Sequence, residues 1–307
     1  MDEIVLTKSL RTVGFGSHEI SRMRLRGDLV AVRRGAYARD RPDDQTVEQA
    51  HRQLILATVP QLEDGAVVSH ASAAVLHGLP TWSSALDRVH LTRDRSGGGR
   101  RRPVVHVHGA PLRAEDLAVI DGITVTSLIR TVLDLARTVS MEQAVAAGDR
   151  ALALGLSPQD LQRRLVTMER WPGVRRARRV VGFLDGRSES AGESVSRVRM
   201  FEDDLPIPDL QREIFGPDGR VVARVDFLWE GHQTIGEFDG KIKYGRLLPP
   251  GQSIEQVIYE EKVREDALRD MGWQVVRWIW RDLYRSGLVR DRVLRAFARS
   301  EAGITPR

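Results

Sequence analysis

Apolar and polar positions change rhythm several times along this 307-residue chain, and each change marks an element. Near the N-terminus a short apolar stretch runs from Ile4 to Leu10. Ser17, Glu19 and Ile20 then open a helix whose inward face carries Ile20, Met23 and Leu25, while Arg22, Arg24 and Arg26 point elsewhere. Gly27-Asp28 stops it, and "LVAVRRGAY" reads as a two-strand ribbon with Arg33-Arg34-Gly35 at its turn. Farther on, "RVHLT" and "VVHVH" read as strands joined by the flexible loop "DRSGGGRRRP". In the last third, Val221–Trp229 and Thr234–Lys241 are apolar runs flanking Glu230-Gly231-His232-Gln233, a short hairpin loop. Ser253 and Gln256 make a capping box for a helix that Gly272 ends, and "WQVVRWIW" follows as a strand apolar on both faces except at Gln274 and Arg277. Breaks at "RDRPDD" and "LDGRSESAG" divide the chain into residues 1–42, 43–184 and 185–307. The expected class is mixed, multidomain α/β.

The hairpin register exposes a problem. If Trp229 pairs with Thr234, Asp226 falls opposite Glu237, and alternation adds Asp239 and Lys241 to the same face. Two carboxylates roughly 5 Å apart repel by about 3 kcal/mol at an effective dielectric near ~20, so positive charge belongs between them. Arg224, opposite Asp239 in this register, can neutralise part of the cluster. The alternative is a hard divalent cation such as Mg²⁺, which is held by one or two carboxylates plus waters. The helix at 253–273 has a matching flaw. Its stripe of Ile254, Val257, Ile258, Leu268 and Met271 is interrupted by Glu261 and by Arg264 or Glu265. Charges on such a stripe need partners, or else the middle turn is exposed. Lys262, beside Glu261, can reach the edge of the acidic site. Upstream, Ser190 or Gly192 starts a helix with Glu193 in its first turn, where an acid complements the helix dipole.

Composition narrows the chemistry. With no cysteine, disulfides, thiolate metal sites and thiol nucleophiles are absent, and nothing points to an oxidising compartment. The formal charge is +5, with arginine clusters "GGGRRR" and "RRARR" that suit a phosphate-rich partner or a solvated basic face. Five of the eight histidines lie between His70 and His108; without acids at ligand spacing they read as structural. The first residues carry charges throughout, which does not fit a signal peptide, and no apolar run approaches the ~20 residues of a membrane span. The expectation is a cytoplasmic protein with no membrane partner.

Helix, glycine stop and basic hairpin in 1–42 is the layout of a winged helix-turn-helix, in which Arg22, Arg24 and Arg26 would approach the DNA groove and Arg33 and Arg34 the phosphates. A small docking module is the plainer alternative. This segment, with "VVSHASAAVLHGLP" and "DGITVTSLIRTVLDLAR", resembles the abortive-infection type IV antitoxins over residues 1–140, departing from them in its short first helix. The resemblance implies a DNA-binding regulator, with a toxin encoded nearby as a possible partner. From 188 to 285, Val225-Asp226-Phe227, Glu237-Phe238-Asp239-Gly240 and "GWQVVRWIWRDL" resemble PD-(D/E)XK nucleases, in particular their branch similar to very short patch repair endonucleases. That resemblance implies Mg²⁺ (or Mn²⁺), a metal-dependent DNA endonuclease in defence or repair, and roles for Asp226 as first acid, Glu237 as second and Glu193 as the helix-borne acid. The family's lysine, two residues after the second acid, is Asp239 here. Either Asp239 is a further ligand and Lys241, Lys243 or Lys262 replaces the lysine, or the domain binds DNA or a partner without cutting, as a regulator would. An RNA-acting nuclease is the weakest of the three readings.

Overall fold

The computed structural model describes residues 4–39, 44–62, 65–95, 98–240 and 254–304, with the backbone alone described at 254, 257, 258, 303 and 304. It comprises two compact units, 1–147 with 154–182, and 148–153 with 183–307.

The first unit begins with β1 (Ile4–Leu6), α1 (Thr7–Thr12), α2 (Ser17–Arg26), β2 (Val30–Arg33) and β3 (Ala36–Ala38). The three strands form one antiparallel sheet, β1-β3-β2, with Ile4 opposite Ala38 and Leu6 opposite Ala36. Glu19 Oε2 accepts from Gly16 N–H at 2.7 Å, securing the start of α2. Its end is secured by Gly27, whose φ of 84° is the left-handed conformation that glycine adopts without a Cβ clash. Leu10, Ile20 and Leu29 form the core with Val5, Met23 and Tyr37. Leu25 does not join it: at 88% exposure it faces solvent, so the inward stripe of α2 is narrower than its sequence suggests.

The same unit continues with α3 (Val47–Thr58), β4 (Ala66–Val68), α4 (His70–Leu76), β5 (Val89–Arg93), β6 (Arg100–Arg101), β7 (Val105–Gly109), β8 (Leu117–Ile120), β9 (Ile123–Thr126), α5 (Leu128–Thr138), α6 (Met141–Ala153), α7 (Pro158–Val166) and α8 (Val174–Phe183). Its six-stranded sheet runs β6-β7-β5-β4-β9-β8 around a core of Ile55, Val68, Leu76, Val89, Leu91 and Val125. Part of the expected flexible loop is thus an edge strand, with Arg100 and Arg101 paired to Val107 and His106. In α5, buried Arg130 bonds to Asp134 (2.9 Å) and Asp116 (3.1 Å), and its guanidinium lies 4.7 Å from the Trp171 ring centroid. Charges buried this fully persist only as a hydrogen-bonded network.

The second unit contains the end of α6 and then α9 (Ala191–Glu202), β10 (Asp209–Phe215), β11 (Val221–Trp229), β12 (Thr234–Phe238), α10 (Ile254–Asp270), β13 (Gln274–Trp278), α11 (Trp280–Leu283) and α12 (Leu288–Ile304). The sheet order is β10-β11-β12-β13, antiparallel except for the parallel β12–β13 pair. Trp229 opposes Thr234, the register expected from the hairpin loop. On one face Gly192 lets α9 pack close to β12, and Gly236 makes room for the Trp278 ring of β13. A Cβ on Gly192 would sit 1.9 Å from the Phe238 ring, and one on Gly236 2.6 Å from Trp278. Trp278 Nε1–H donates to Ser196 Oγ at 2.8 Å. On the other face Leu268 of α10 packs with Ile235 and Leu228. Among the described residues, no helix is long and apolar enough to cross a membrane.

Candidate functional site

Paired backbone positions of β11 and β12 run from Trp229–Thr234 to Phe227–Gly236, and there the strands part. Beyond that point Phe238 N–H donates to Asp226 Oδ2 at 2.8 Å, so the aspartate substitutes for a strand carbonyl. Its other oxygen, Oδ1, accepts from Gln211 Nε2 at 3.3 Å. Gln211 sits on β10 with a left-handed φ of 54°, and the same amide nitrogen donates to Glu193 Oε2 at 3.0 Å. Glu193 is held in place by the start of α9: Ser190 Oγ accepts from Glu193 N–H, and the Glu193 carboxylate accepts from Ser190 Oγ–H at 2.7 Å and from Glu189 N–H at 2.8 Å. Two carboxylates, one from a strand and one from a helix, therefore flank a single amide. Asp239 follows one residue beyond the bonded Phe238, its own N–H donating to Trp278 O at 2.8 Å.

Gln211, which joins this pair, also lines a cleft of about 490 Å³ together with Glu189 and three arginines, Arg150, Arg187 and Arg224. Arg150 is brought there by its neighbour Asp149, which accepts from Arg197 (2.8 Å), Ser194 Oγ–H (2.7 Å) and Asp185 N–H (2.8 Å). Arg224 pairs with Glu189 at 2.6 Å rather than with Asp239. Arg187 bonds to Asp185, and that hydrogen bond holds its guanidinium above the ordinary arginine value.

Glu237 faces a different set of groups. Its carboxylate accepts from Arg264 Nη2 and Arg277 Nε, both at 2.8 Å, and only 13% of its side chain is exposed. Arg264 also pairs with Glu261 at 2.7 Å; Arg277 bonds to Glu261 and reaches Glu265 at 3.1 Å. Partial burial works against charge on Arg264, but hydrogen bonds and attraction from Glu261 and Glu237 outweigh it and raise its pKa. The positive charge beside Glu237 thus comes from α10 and β13. Parallel pairing sets Glu237 beside Arg277, and the charged gap in the apolar stripe of α10 supplies Glu261, Arg264 and Glu265.

Of the residues singled out in the sequence, the structure brings Asp226 and Glu193 together and places Glu237 in the neighbouring ion-pair network. Lys262 is exposed on α10, and Lys241 and Lys243 lie outside the described residues. In the first unit Arg22, Arg24, Arg26 and Arg34 are exposed and Arg33 is half-buried, with Arg24 5.9 Å from the Tyr37 ring centroid. Sequence reasoning missed Gln211, whose strand carries too many polar positions to read as one. It also missed Arg277, although a lone arginine in an apolar strand was the signal.

No protein-family model matches the chain. Over 279 residues it is 28% identical to uncharacterized protein Rv2248 of Mycobacterium tuberculosis strain H37Rv and equally to uncharacterized protein MT2308 of strain CDC 1551, across 89% of this chain and 94% of each relative. Among solved structures, the RV2827C protein of Mycobacterium tuberculosis aligns with 70% of this chain and 84% of its own, with a TM-score of 0.38 and 17% identity.

Proposed function

We propose that this chain is a cytoplasmic DNA-binding protein whose second unit hydrolyses phosphodiester bonds with Mg²⁺ or Mn²⁺. The observation that carries the reading is the Glu193–Gln211–Asp226 cluster beside a cleft lined by Arg150, Arg187 and Arg224. Oxygen donors of this kind suit a hard cation that keeps most of its waters, and arginines beside them suit the phosphates of a nucleic-acid backbone. The donor set fits the ion: Asp226 and Glu193 would hold it, with Asp239 at the adjoining strand end. Glu237, engaged by two guanidiniums, instead fixes that strand end against α10 and β13. When bound, such an ion polarises the scissile phosphate and lowers the pKa of an attacking water. The chain's own contribution is to orient the carboxylates through Gln211 and to seat the backbone on the arginines. In the first unit, exposed Arg22, Arg24 and Arg26 on α2 and Arg33-Arg34 at the following hairpin would deliver the protein to DNA as a winged helix-turn-helix. Defence against foreign DNA or repair would be the setting.

A second reading rests on Glu237. Its two arginines, together with Asp239 at the position where the nucleases have lysine, favour a unit that binds DNA or a toxin partner without cutting, in a transcriptional autoregulator or antitoxin. Incubation of supercoiled plasmid with the protein and Mg²⁺ or Mn²⁺ separates the two. Nicking abolished by EDTA and by Asp226→Ala supports the nuclease. Intact plasmid, with DNA binding that survives Asp226→Ala, leaves the regulator.

A further inference from the structure

The first unit holds a second cluster of chemistry-bearing side chains, unrelated to the carboxylates. In the parallel pair β5–β7, His90 lies directly beside His106 and Thr92 beside His108. Alternation along β7 puts His106 and His108 on one face, the face His90 shares. The three offer ring nitrogens that all lie within 4.8 Å of one another, and His90 Nδ1 and His108 Nε2 are 3.1 Å apart. In a tetrahedral site with metal–nitrogen bonds of about 2.0–2.1 Å, ligand nitrogens stand about 3.3 Å apart. The His90–His108 pair therefore already stands near coordination spacing, with the His106 nitrogen within 4.8 Å of both. We propose that His90, His106 and His108 form a binding site for one divalent ion of the zinc class.

The donor set selects that class. Three imidazoles with no thiolate in the chain and no carboxylate in the set suit Zn²⁺, Co²⁺, Ni²⁺ or Cu²⁺ rather than Mg²⁺, so this site and the oxygen cluster of the second unit would take different ions. Burial lowers the pKa of His108 to about 2 and that of His90 to about 4, so both are neutral at physiological pH with lone pairs to offer. All three rings are half-buried, which leaves an approach from solvent.

The surroundings hold the ligands still. His90 N–H donates to Ser72 Oγ at 2.8 Å, and Ser69 N–H donates to His90 O at 3.0 Å. Thr92 Oγ1–H donates to Ser69 Oγ, whose other partner is His70 Nδ1. His70 is buried in the left-handed conformation, φ 51°, which a residue with a Cβ adopts at a cost, and its ring stacks on His108 with centroids 3.7 Å apart. That stack fixes the His108 ring plane. Arg88 and Arg101 oppose a cation near His106 and Asp87 favours one. Three protein ligands leave a fourth position for water or another small ligand.

The test uses the full chain without a histidine tag, stripped with chelator and titrated with Co²⁺, then Zn²⁺. One equivalent of Co²⁺ should produce the visible absorption of tetrahedral cobalt, and one equivalent of Zn²⁺ should remove it. Half-exposed His106 can be changed with little risk to the fold, and His106→Gln should weaken binding by more than about 100-fold, while His18→Ala leaves it unchanged. In the wild type, Zn²⁺ should also shift the imidazole NMR signals of His90, His106 and His108. Absence of saturable binding, affinity unaltered by His106→Gln, or unmoved imidazole signals would each overturn the site. Because the tetrahedral absorption and the imidazole signals report nitrogen ligands rather than the carboxylates of the second unit, the result is independent of whether the protein cuts DNA.

Discussion

At the scale of single residues, the hairpin acids are stabilised by two separate devices. Among the described residues, Asp226 meets the Phe238 N–H and the Gln211 amide, and Glu237 meets the Arg264 and Arg277 guanidiniums. Arg277→Ala would remove one of the two guanidiniums on Glu237 and one partner each from Glu261 and Glu265, which keep Arg264 and Arg269. Because Arg277 is a third exposed, solvent screens part of the loss, and the expected destabilisation is about 1–2 kcal/mol in denaturant unfolding. Gly192→Ala is a steric test of the same region. Its Cβ would overlap the Phe238 ring on the strand that carries Glu237, so a loss of about 2–3 kcal/mol is expected in the same measurement. The Trp229–Thr234 register was legible because a four-residue loop between apolar runs leaves few ways to pair them. Arg264 and Arg277 were not legible as partners of Glu237, because those contacts come from a helix 27 residues downstream and a parallel strand 40 residues downstream.

At the scale of elements, β10 shows where pattern reading stops. "DLQREIF" alternates poorly because only Leu210 and Ile214 are buried, and Gln211 turns through the left-handed region to reach both acids. β1 is similar: three residues become a strand only because β3 lies beside them. Helix α2, by contrast, ends at the glycine stop its sequence announces, though Leu25 faces water. The arginine cleft makes a prediction at this scale. If Arg187 and Arg224 contact phosphates, the double variant Arg187→Ala/Arg224→Ala should weaken DNA binding at every sequence and reduce the slope of log K against log salt by about 1.8. An unchanged slope in fluorescence-anisotropy titrations would remove the cleft from the DNA interface.

At the scale of the whole molecule, the chain joins a histidine-rich first unit to a second unit with the oxygen cluster and ion-pair network, under a net charge of +5. Burial lowers the pKa of His51 and His77, each of which is hydrogen-bonded to a backbone carbonyl. Their unfolded counterparts titrate near ~6.5, so on acidification the unfolded chain binds protons first. The stability these two residues contribute is fully present above that pH and is lost as the pH falls toward their lower folded values. Thermal unfolding should therefore start at lower temperature at pH ~5 than at pH ~7.5, and His51→Asn should flatten the dependence.

The central claim is that Asp226 and Glu193, rather than Glu237, form the metal-bearing site for DNA cleavage. Its most direct test is the rate of plasmid nicking as Mn²⁺ is raised, for the wild type and for Asp226→Ala, Glu193→Gln and Glu237→Gln. The account predicts no cutting by Asp226→Ala, a higher Mn²⁺ requirement for Glu193→Gln, and a Mn²⁺ midpoint close to that of the wild type for Glu237→Gln. Cutting that survives Asp226→Ala, or a wild type that leaves the plasmid intact at every Mn²⁺ concentration, would contradict it.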